Sequence, residues 1–166
     1  GMLSGFDSIL EIVDTIRFAL APVRLRTGIG IGTISTAIVR KNVTQTDGLA
    51  FYLARDSIST IRTNESKNGQ PKQDFVISSN EHPQETALLN SCLALSTVIE
   101  RRWSEKQRRA VKTMLYSGLS QKEGASRLEI TPSGMQRQLK NAEYYTYKYA
   151  REQMQRMLAA MGNGQK

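Results

Sequence analysis

The chain has 166 residues, of which 39% are hydrophobic, so it is long enough for one or at most two small domains with a packed core. It carries a net charge of +8 with one cysteine and one histidine, which excludes a disulfide scaffold, a zinc finger and a Cys–His hydrolase. No apolar run approaches the roughly 20 residues of a membrane span, and acidic residues occupy the place of a basic signal region, so we expect a soluble cytoplasmic protein without a membrane partner.

The basic charge is concentrated in one part of the chain. Residues 1–100 hold nine Lys and Arg against ten Asp and Glu, a net charge of −1. Residues 101–166 hold 14 against five, a net charge of +9. Such asymmetry is typical of a polyanion-binding module joined to a neutral part, and the alternative is a solvated basic face.

Apolar periodicity and turn residues predict mixed α and β structure in the first half of the chain. The predicted elements are a helix at 4–20, a strand at 23–32, a second β-rich run at 33–39, a helix from Asp47-Gly48 to about 62, a polar turn at 64–72 and a strand at 74–79. A tight hairpin around Gly32 would join the first two β segments. The polar face of the first helix is predicted to carry Asp7, Glu11, Asp14 and Arg17. Its predicted apolar residues are Phe6, Ile9, Leu10, Ile12, Val13, Ile16, Phe18 and Leu20.

From residue 84 onward the pattern is helical, beginning with an amphipathic helix that ends near residue 102. Its predicted apolar residues are Leu88, Leu89, Leu93, Leu95, Val98 and Ile99. His82 and Cys92 have no partners in a ligand-like spacing and are interpreted as structural or surface residues.

Residues 103–142 contain three predicted helix starts. Ser104 with Gln107 fits a capping box, as does Ser120 with Glu123. Thr131 before Pro132 fits an N-cap followed by a first-turn proline. The pattern predicts a helix at 104–117, a short helix at 121–128, a turn at 129–130 and a long helix from 132, which is a helix-turn-helix arrangement. The predicted inward-facing residues are Ala110, Val111, Met114, Leu115, Leu119, Ala125, Leu128, Ile130, Met135 and Leu139.

The outer face of the third helix is polar and basic. Gln and Arg side chains can pair bidentately with adenine and guanine edges, so this face predicts base reading. The predicted base-reading residues are Ser133, Gln136, Arg137 and Lys140. Side chains of the preceding helices and caps suit phosphate contacts, which orient a protein without specifying sequence. The predicted phosphate-contacting residues are Arg108, Arg109, Ser120, Gln121, Lys122 and Thr131.

This region resembles the helix-turn-helix of sigma-70 region 4. The resemblance rests on Trp103, Ser104 and Gln107, on the run SQKEGASRL at 120–128 and on TPSGMQRQLKNA at 131–142. It implies double-stranded DNA as the partner, and a plain structural bundle is the alternative. Gly124 departs from the pattern, because a helix former is expected there, and weakens the short helix by somewhat under ~1 kcal/mol.

Three glycines, Gly28, Gly30 and Gly32, recur at every second position of the predicted strand. The spacing is not a dinucleotide fingerprint, since no helix follows directly. Two interpretations are open: the glycines let another element approach the sheet closely, or together with Gly48 they form a surface that faces a nucleotide or other effector.

The runs LRTGIGIGTIST at 25–36 and TDGLAFYLARDSI at 46–58 resemble the SatD family, in which a nucleotidyl-cyclase-like domain precedes a helix-turn-helix. Gly48, Phe51, Ala54 and Arg55 fall at the places of the helix start in class III nucleotide cyclases. Cyclase-like catalysis needs two metal-binding carboxylates near strand ends, and in the family pattern these strands would precede residue 1. The resemblance therefore implies an incomplete, amino-terminally truncated sheet and a protein that is not an enzyme, with no metal site and no cofactor.

Two features suggest a homodimer. An incomplete sheet has an exposed edge, which proteins cover or pair. Tyr147, Ala150, Met154, Met157 and Met161 recur at spacings of three and four, as in a two-heptad seam. Equally, this face could pack on the chain's own helix at 84–101.

The sequence therefore predicts an α+β fold: a partial cyclase-like sheet with helices at 1–82, a connecting helix at 83–102, an all-α helix-turn-helix domain with a long last helix at 103–161, and a disordered tail at 162–166. The predicted function is transcriptional regulation through DNA binding, with the first part as a non-catalytic oligomerisation or effector-sensing region. The alternatives are a nucleotide-binding or degenerate cyclase-like sensor, and an interaction module that binds RNA polymerase.

Overall fold

The computed structural model describes Phe6, residues 8–32 and residues 48–163. Within these residues the chain has seven helices and two strands, which confirms the α+β class. In chain order they are α1 (Ile9–Leu20), β1 (Thr27–Ile31), α2 (Leu49–Ser66), β2 (Phe75–Ser79), α3 (Pro83–Arg101), α4 (Glu105–Leu115), α5 (Gln121–Arg127), α6 (Pro132–Asn141) and α7 (Tyr144–Asn163).

The two strands pair in parallel, with Thr27 opposite Phe75 and Ile31 opposite Ser79. A parallel pair needs a crossover, and α2 lies in the connection between β1 and β2. The first strand begins four residues later than predicted, because residues 23–26 take no strand pairing. The β-rich run at 33–39 and the hairpin that would follow Gly32 lie outside the described residues.

The glycines of β1 let α2 pack directly against the strand. A Cβ atom added to Gly30 would lie 2.7 Å from the backbone nitrogen of Ala54, and one on Gly28 would lie 2.8 Å from Cγ1 of Ile58. Side chains there would push the helix away, so close approach accounts for both glycines. Gly48 is buried directly before α2. An effector role for Gly28, Gly30, Gly32 and Gly48 stays a prediction.

The buried apolar residues form two clusters, and α7 contributes to both. One cluster joins α1, the sheet and α3 with Met154, Leu158 and Met161 of α7. The other joins α4, α5 and α6 with Trp103, Tyr144 and Tyr147. The predicted seam of α7 is therefore covered by the chain itself, with α1 and α3 among the elements that pack there.

Helices α1 and α3 each bury only part of the apolar face predicted for them. In α1 the buried residues are Ile9, Leu10, Val13 and Asp14, whereas Ile12, Ile16 and Leu20 are exposed. In α3 Leu89 and Leu93 are buried, whereas Leu88, Leu95 and Val98 are exposed. Both helices are apolar on more than one side, so periodicity alone could not select the face that the other elements cover.

The end of the chain also differs from the prediction. The long helix expected from residue 132 is divided, because α6 ends at Asn141 and Glu143 has a left-handed φ of 54°. α7 extends to Asn163, so the first two residues of the predicted disordered tail are helical. Residues 164–166 lie outside the described part.

Candidate nucleic-acid interface

Each helix of the helix-turn-helix begins with the predicted cap. The Ser104 hydroxyl accepts from the backbone N–H of Gln107 at 3.3 Å, and the Gln107 side chain accepts from Ser104 N–H at 2.7 Å. The same reciprocal pair forms between Ser120 and Glu123. In α6 the Thr131 hydroxyl accepts from Gly134 N–H at 3.0 Å. Side chains thus satisfy N–H groups that a helix start would leave unpaired.

A small core fixes how the three helices cross. Val111, Ala125, Met135 and Leu139 are almost completely buried, as predicted. Gly124 is buried as well, and a Cβ atom there would meet the side chain of Met114 and lie 3.1 Å from Cε of Met135. Gly124 therefore makes room for the side chains of Met114 and Met135 at the crossing, although a glycine lowers the helix propensity of α5.

The turn between α5 and α6 is tight, as predicted, but one of its residues faces outward. Glu129 has a left-handed φ of 56°, and Ile130 N–H donates to the Ala125 carbonyl at 3.0 Å. The Ile130 side chain is 39% exposed, so the prediction that it faces inward is wrong.

The four predicted base-reading residues lie on the exposed side of α6. Ser133, Gln136, Arg137 and Lys140 are all exposed, opposite the buried Met135 and Leu139. Among the described residues Arg137 and Lys140 have no ion-pair partner. This face can therefore present two guanidinium or ammonium groups and an amide to an external partner.

The six predicted phosphate-contacting residues comprise two exposed cations, three side chains already hydrogen-bonded within the protein, and Arg108, which is described below. Arg109 and Lys122 are exposed cations for which no partner is found within the described residues. Ser120 and Thr131 are exposed but use their hydroxyls as caps, and the Gln121 amide donates to the Tyr145 hydroxyl at 2.6 Å.

Arg108 has a different position from its neighbour. Its guanidinium lies 6.0 Å from the centre of the Trp103 ring and donates to the Glu100 carbonyl at 3.3 Å. Trp103 is itself buried: its indole N–H donates to the Ala142 carbonyl at 2.8 Å, and its ring meets Tyr147 edge-on at 4.9 Å. The Arg108 side chain therefore lies against Trp103 and the end of α3.

A polar network, which we call the junction, connects α1, α3 and α7 with the end of α4. It is mostly buried, although Tyr116 is 40% exposed. It consists of Asp14, Arg17, Glu100, Tyr116, Tyr147 and Arg151. Asp14 pairs with Arg151 and accepts from the Tyr116 hydroxyl at 2.7 Å. Glu100 accepts from Arg17 at 2.6 Å and from the Tyr147 hydroxyl at 2.8 Å. The junction thus links α1, α3 and α7 to the residue that follows α4.

Burial sets the direction of the pKa shifts of Asp14 and of the two phenols of the junction. It raises the pKa of Asp14, against the charge of Arg151 and the hydrogen bond from Tyr116, which lower it. Burial also raises the pKa values of the Tyr116 and Tyr147 phenols, so both remain hydrogen-bond donors. Within the described part, Nε and Nη1 of Arg151 lack hydrogen-bond partners. An incompletely satisfied buried pair adds little net stability, but losing one partner leaves a charge uncompensated.

Sequence reasoning missed the junction. Asp14 and Arg17 were expected on the polar, outward face of the first helix, yet Asp14 is 1% exposed. Its partner Arg151 is 137 residues away, and nothing in the local pattern around either residue indicates the pairing.

The described residues contain neither a metal-ligand cluster nor a membrane-spanning helix. No group of three or more His, Cys, Asp or Glu side chains there could hold a metal ion. No helix in the same part of the chain combines the length and hydropathy that crossing a membrane requires.

Comparison with known proteins identifies the family. No curated protein and no solved structure matches the chain. A family model, that of the SatD family, matches residues 1–158. Because the match covers nearly the whole sequence, both the α/β part and the helix-turn-helix lie within it, and the chain belongs to the SatD family.

Proposed function

We propose that this protein is a cytoplasmic DNA-binding transcriptional regulator that reads double-stranded DNA through a sigma-70 region 4-like helix-turn-helix. The observation that carries the proposal is the outer face of α6. Arg137, Gln136 and Lys140 are exposed there, while the Thr131 cap and the buried Met135 fix the helix from the other side. A rigid helix with free cations suits insertion into a major groove.

The charge around α6 supports the same proposal. Lys106, Arg109 and Lys112 follow one another at intervals of three along the exposed side of α4, and Lys122 is exposed on α5. Cations that are not paired within the protein can neutralise DNA phosphates and release counterions. If ~4–6 phosphates are contacted, log K falls with log salt at a slope of roughly −4 to −5.

The α/β part has a supporting role in this proposal. It acts as a non-catalytic region for oligomerisation or effector sensing, with a partial cyclase-like sheet. Gly28 and Gly30 of β1 are explained by the close packing of α2. They therefore give no support to the cyclase-like or nucleotide-sensing alternative.

The test begins by selecting a binding site from genomic DNA fragments at two salt concentrations. Affinities for this site and for random DNA are then measured by fluorescence anisotropy. We expect Arg137→Ala to cost about 1–3 kcal/mol on the selected site and to relax its sequence preference. Lys122→Ala should weaken all sequences equally and reduce the salt slope by about one.

Arg156→Ala is the matched control, because Arg156 is an exposed arginine on α7 near the buried Met154 and Leu158 of the first cluster. It should leave the sequence preference unchanged. If Arg137→Ala stays folded and alters neither specific nor random binding, α6 is not the reading element and the region is a structural bundle.

A protein-interaction module, for example one that binds RNA polymerase, is the second candidate. It is favoured by the exposed apolar face of α3, where Leu88, Leu95 and Val98 lie on one side and Leu95 is 67% exposed. Exposed apolar patches mark interaction sites. Leu95→Glu should abolish binding to purified RNA polymerase under this alternative and leave DNA affinity unchanged under the first.

A further inference from the structure

A cavity of about 110 Å³ lies where α4 meets the first part of the chain. Its walls come from the end of α1, the segment at 21–25, Asp74 before β2, the end of α3, and Arg108 of α4. Four arginines and two carboxylates line it, which gives the lining a formal charge of +2: Arg17, Arg24, Arg101, Arg108, Asp74 and Glu100.

The two carboxylates accept from only some of the N–H donors that the four arginines offer. Glu100 binds Arg17 through both carboxylate oxygens, at 2.6 and 3.4 Å. Asp74 accepts from one nitrogen of Arg24 at 2.5 Å and from one nitrogen of Arg101 at 3.0 Å, through a single oxygen. The same nitrogen of Arg24 also donates to Glu65, outside the lining, at 3.1 Å, which leaves the other N–H groups of Arg24 for a ligand. Arg108 has no carboxylate partner within the described residues and donates only to a backbone carbonyl.

We propose that this cavity binds a small phosphate-bearing anion, held by Arg24, Arg101 and Arg108. Guanidinium groups offer several N–H donors in a planar fork that matches phosphate oxygens, and such charge-assisted bonds are strong. The excess of two positive charges matches a phosphate dianion.

The size of the cavity limits the ligand. A volume of 110 Å³ exceeds what one water molecule needs and is well below the roughly 300–1,000 Å³ of a pocket for a drug-sized molecule. Inorganic phosphate, pyrophosphate or the terminal phosphate of a nucleotide fits this range, with any base remaining outside.

A ligand in this cavity would contact both the helix-turn-helix and the α/β part. Arg108 belongs to α4, whereas Arg24 follows α1 and Arg101 ends α3. An anion held by all three would connect the helix-turn-helix to the α/β part. The sequence predicts a DNA phosphate contact for Arg108. In the structure this side chain lines the cavity, while Arg109 is exposed. Anion binding here does not depend on the proposed function in DNA binding.

The experiment is isothermal titration calorimetry of the full chain with sodium phosphate, sodium pyrophosphate and ATP, without DNA and at constant ionic strength. Arg108→Gln is compared with Arg109→Gln, its exposed neighbour. We expect saturable binding of at least one anion to the unmodified protein, at least about tenfold weaker in Arg108→Gln and unchanged in Arg109→Gln. The thermal midpoint should rise with the same anion, because ligands of the folded state stabilise it.

The source of the phosphate follows from the titrations. Saturation by phosphate or pyrophosphate identifies a free anion, and saturation by ATP alone identifies a nucleotide. Absence of saturable binding by all three overturns the proposal, as does an equal loss in Arg109→Gln. It is also overturned if free anions fail and Arg108→Gln reduces the DNA salt slope by one, because the phosphate would then belong to the DNA backbone. If Arg108→Gln does not fold, Arg24→Gln replaces it with the same expectations, since that side chain is 54% exposed.

Discussion

The helix-turn-helix and the junction are held together over very different sequence distances. Each helix of α4–α6 begins with a side chain that bonds a backbone N–H three residues further on. In the junction Asp14 meets Arg151 across 137 residues and Arg17 meets Glu100 across 83. The helix starts of the first region depend on exposed, local contacts, and the junction depends on buried charges that only the complete fold brings together.

The two regions should respond differently to substitution. An exposed cap exchanges its hydrogen bond with water at moderate cost when it is lost. A buried ion has no water to replace its partner, so the whole desolvation penalty appears. We therefore expect the junction to be the more sensitive region, although it contains fewer recognisable motifs.

The largest expected effect is at the junction. Asp14→Ala leaves Arg151 charged and buried, which should lower the free energy of unfolding by about 3–5 kcal/mol in urea titrations. Glu152→Gln is the control, because the exposed Lys148–Glu152 pair at 3.8 Å contributes at most about 1 kcal/mol. A double variant, Asp14→Leu with Arg151→Met, should recover most of the loss. If Asp14→Ala lowers the free energy of unfolding no more than Glu152→Gln does, the junction is no more sensitive than an exposed ion pair.

The next effect concerns the contact of α2 with β1. A methyl group on Gly30 would meet backbone atoms of α2, which cannot rotate away, so Gly30→Ala should destabilise the fold by about 1–3 kcal/mol or more. Gly32→Ala is the matched control, because its Cβ would lie 3.3 Å from the mobile side chain of Leu49. Thermal unfolding of both variants measures the difference. Equal stabilities would place α2 further from the strand than the structure does.

A smaller effect is expected at the cap of α6. Thr131→Ala removes the acceptor for Gly134 N–H and should cost about 1 kcal/mol in chemical unfolding, whereas Thr131→Ser keeps it. Because the hydroxyl is already used as a cap, the DNA salt slope should not change in either variant. A slope reduced by one in Thr131→Ala, with normal stability, would return Thr131 to the phosphate contacts.

The smallest effect is present near neutral pH and is lost in acid. Burial by itself would raise the pKa of Asp74, but the hydrogen bonds and charges of Arg24 and Arg101 outweigh it and hold the pKa below its usual range. The folded state therefore binds fewer protons than the unfolded state, so these ion pairs stabilise the fold above about pH 4 and the contribution disappears as the pH falls below it. Asp74→Asn should be less stable than the unmodified protein at pH 7, and urea titrations at lower pH should show the difference shrinking. A difference that is independent of pH would contradict the shifted pKa.

The helix-turn-helix was predictable because its information is local. Ser104, Ser120 and Thr131 each mark a helix start through a partner in the same turn, and the 3.6-residue period then fixes which side of α6 faces outward. In this region the predicted burial of Ile130 was wrong, and the packing role of Gly124 was not predicted. Both depend on which side chains meet where α5 crosses α4 and α6.

Composition, caps and periodicity act within a few residues, so the fold class, the asymmetry of charge and the exposed basic face of α6 could be predicted from the chain alone. The burial of Asp14, the packing of α7 into both cores and the position of Arg108 in a cavity beside the exposed Arg109 depend on tertiary contacts. These outcomes depend on which of several apolar or charged faces finds a partner. Because the partners lie far apart along the chain, no local pattern contains them.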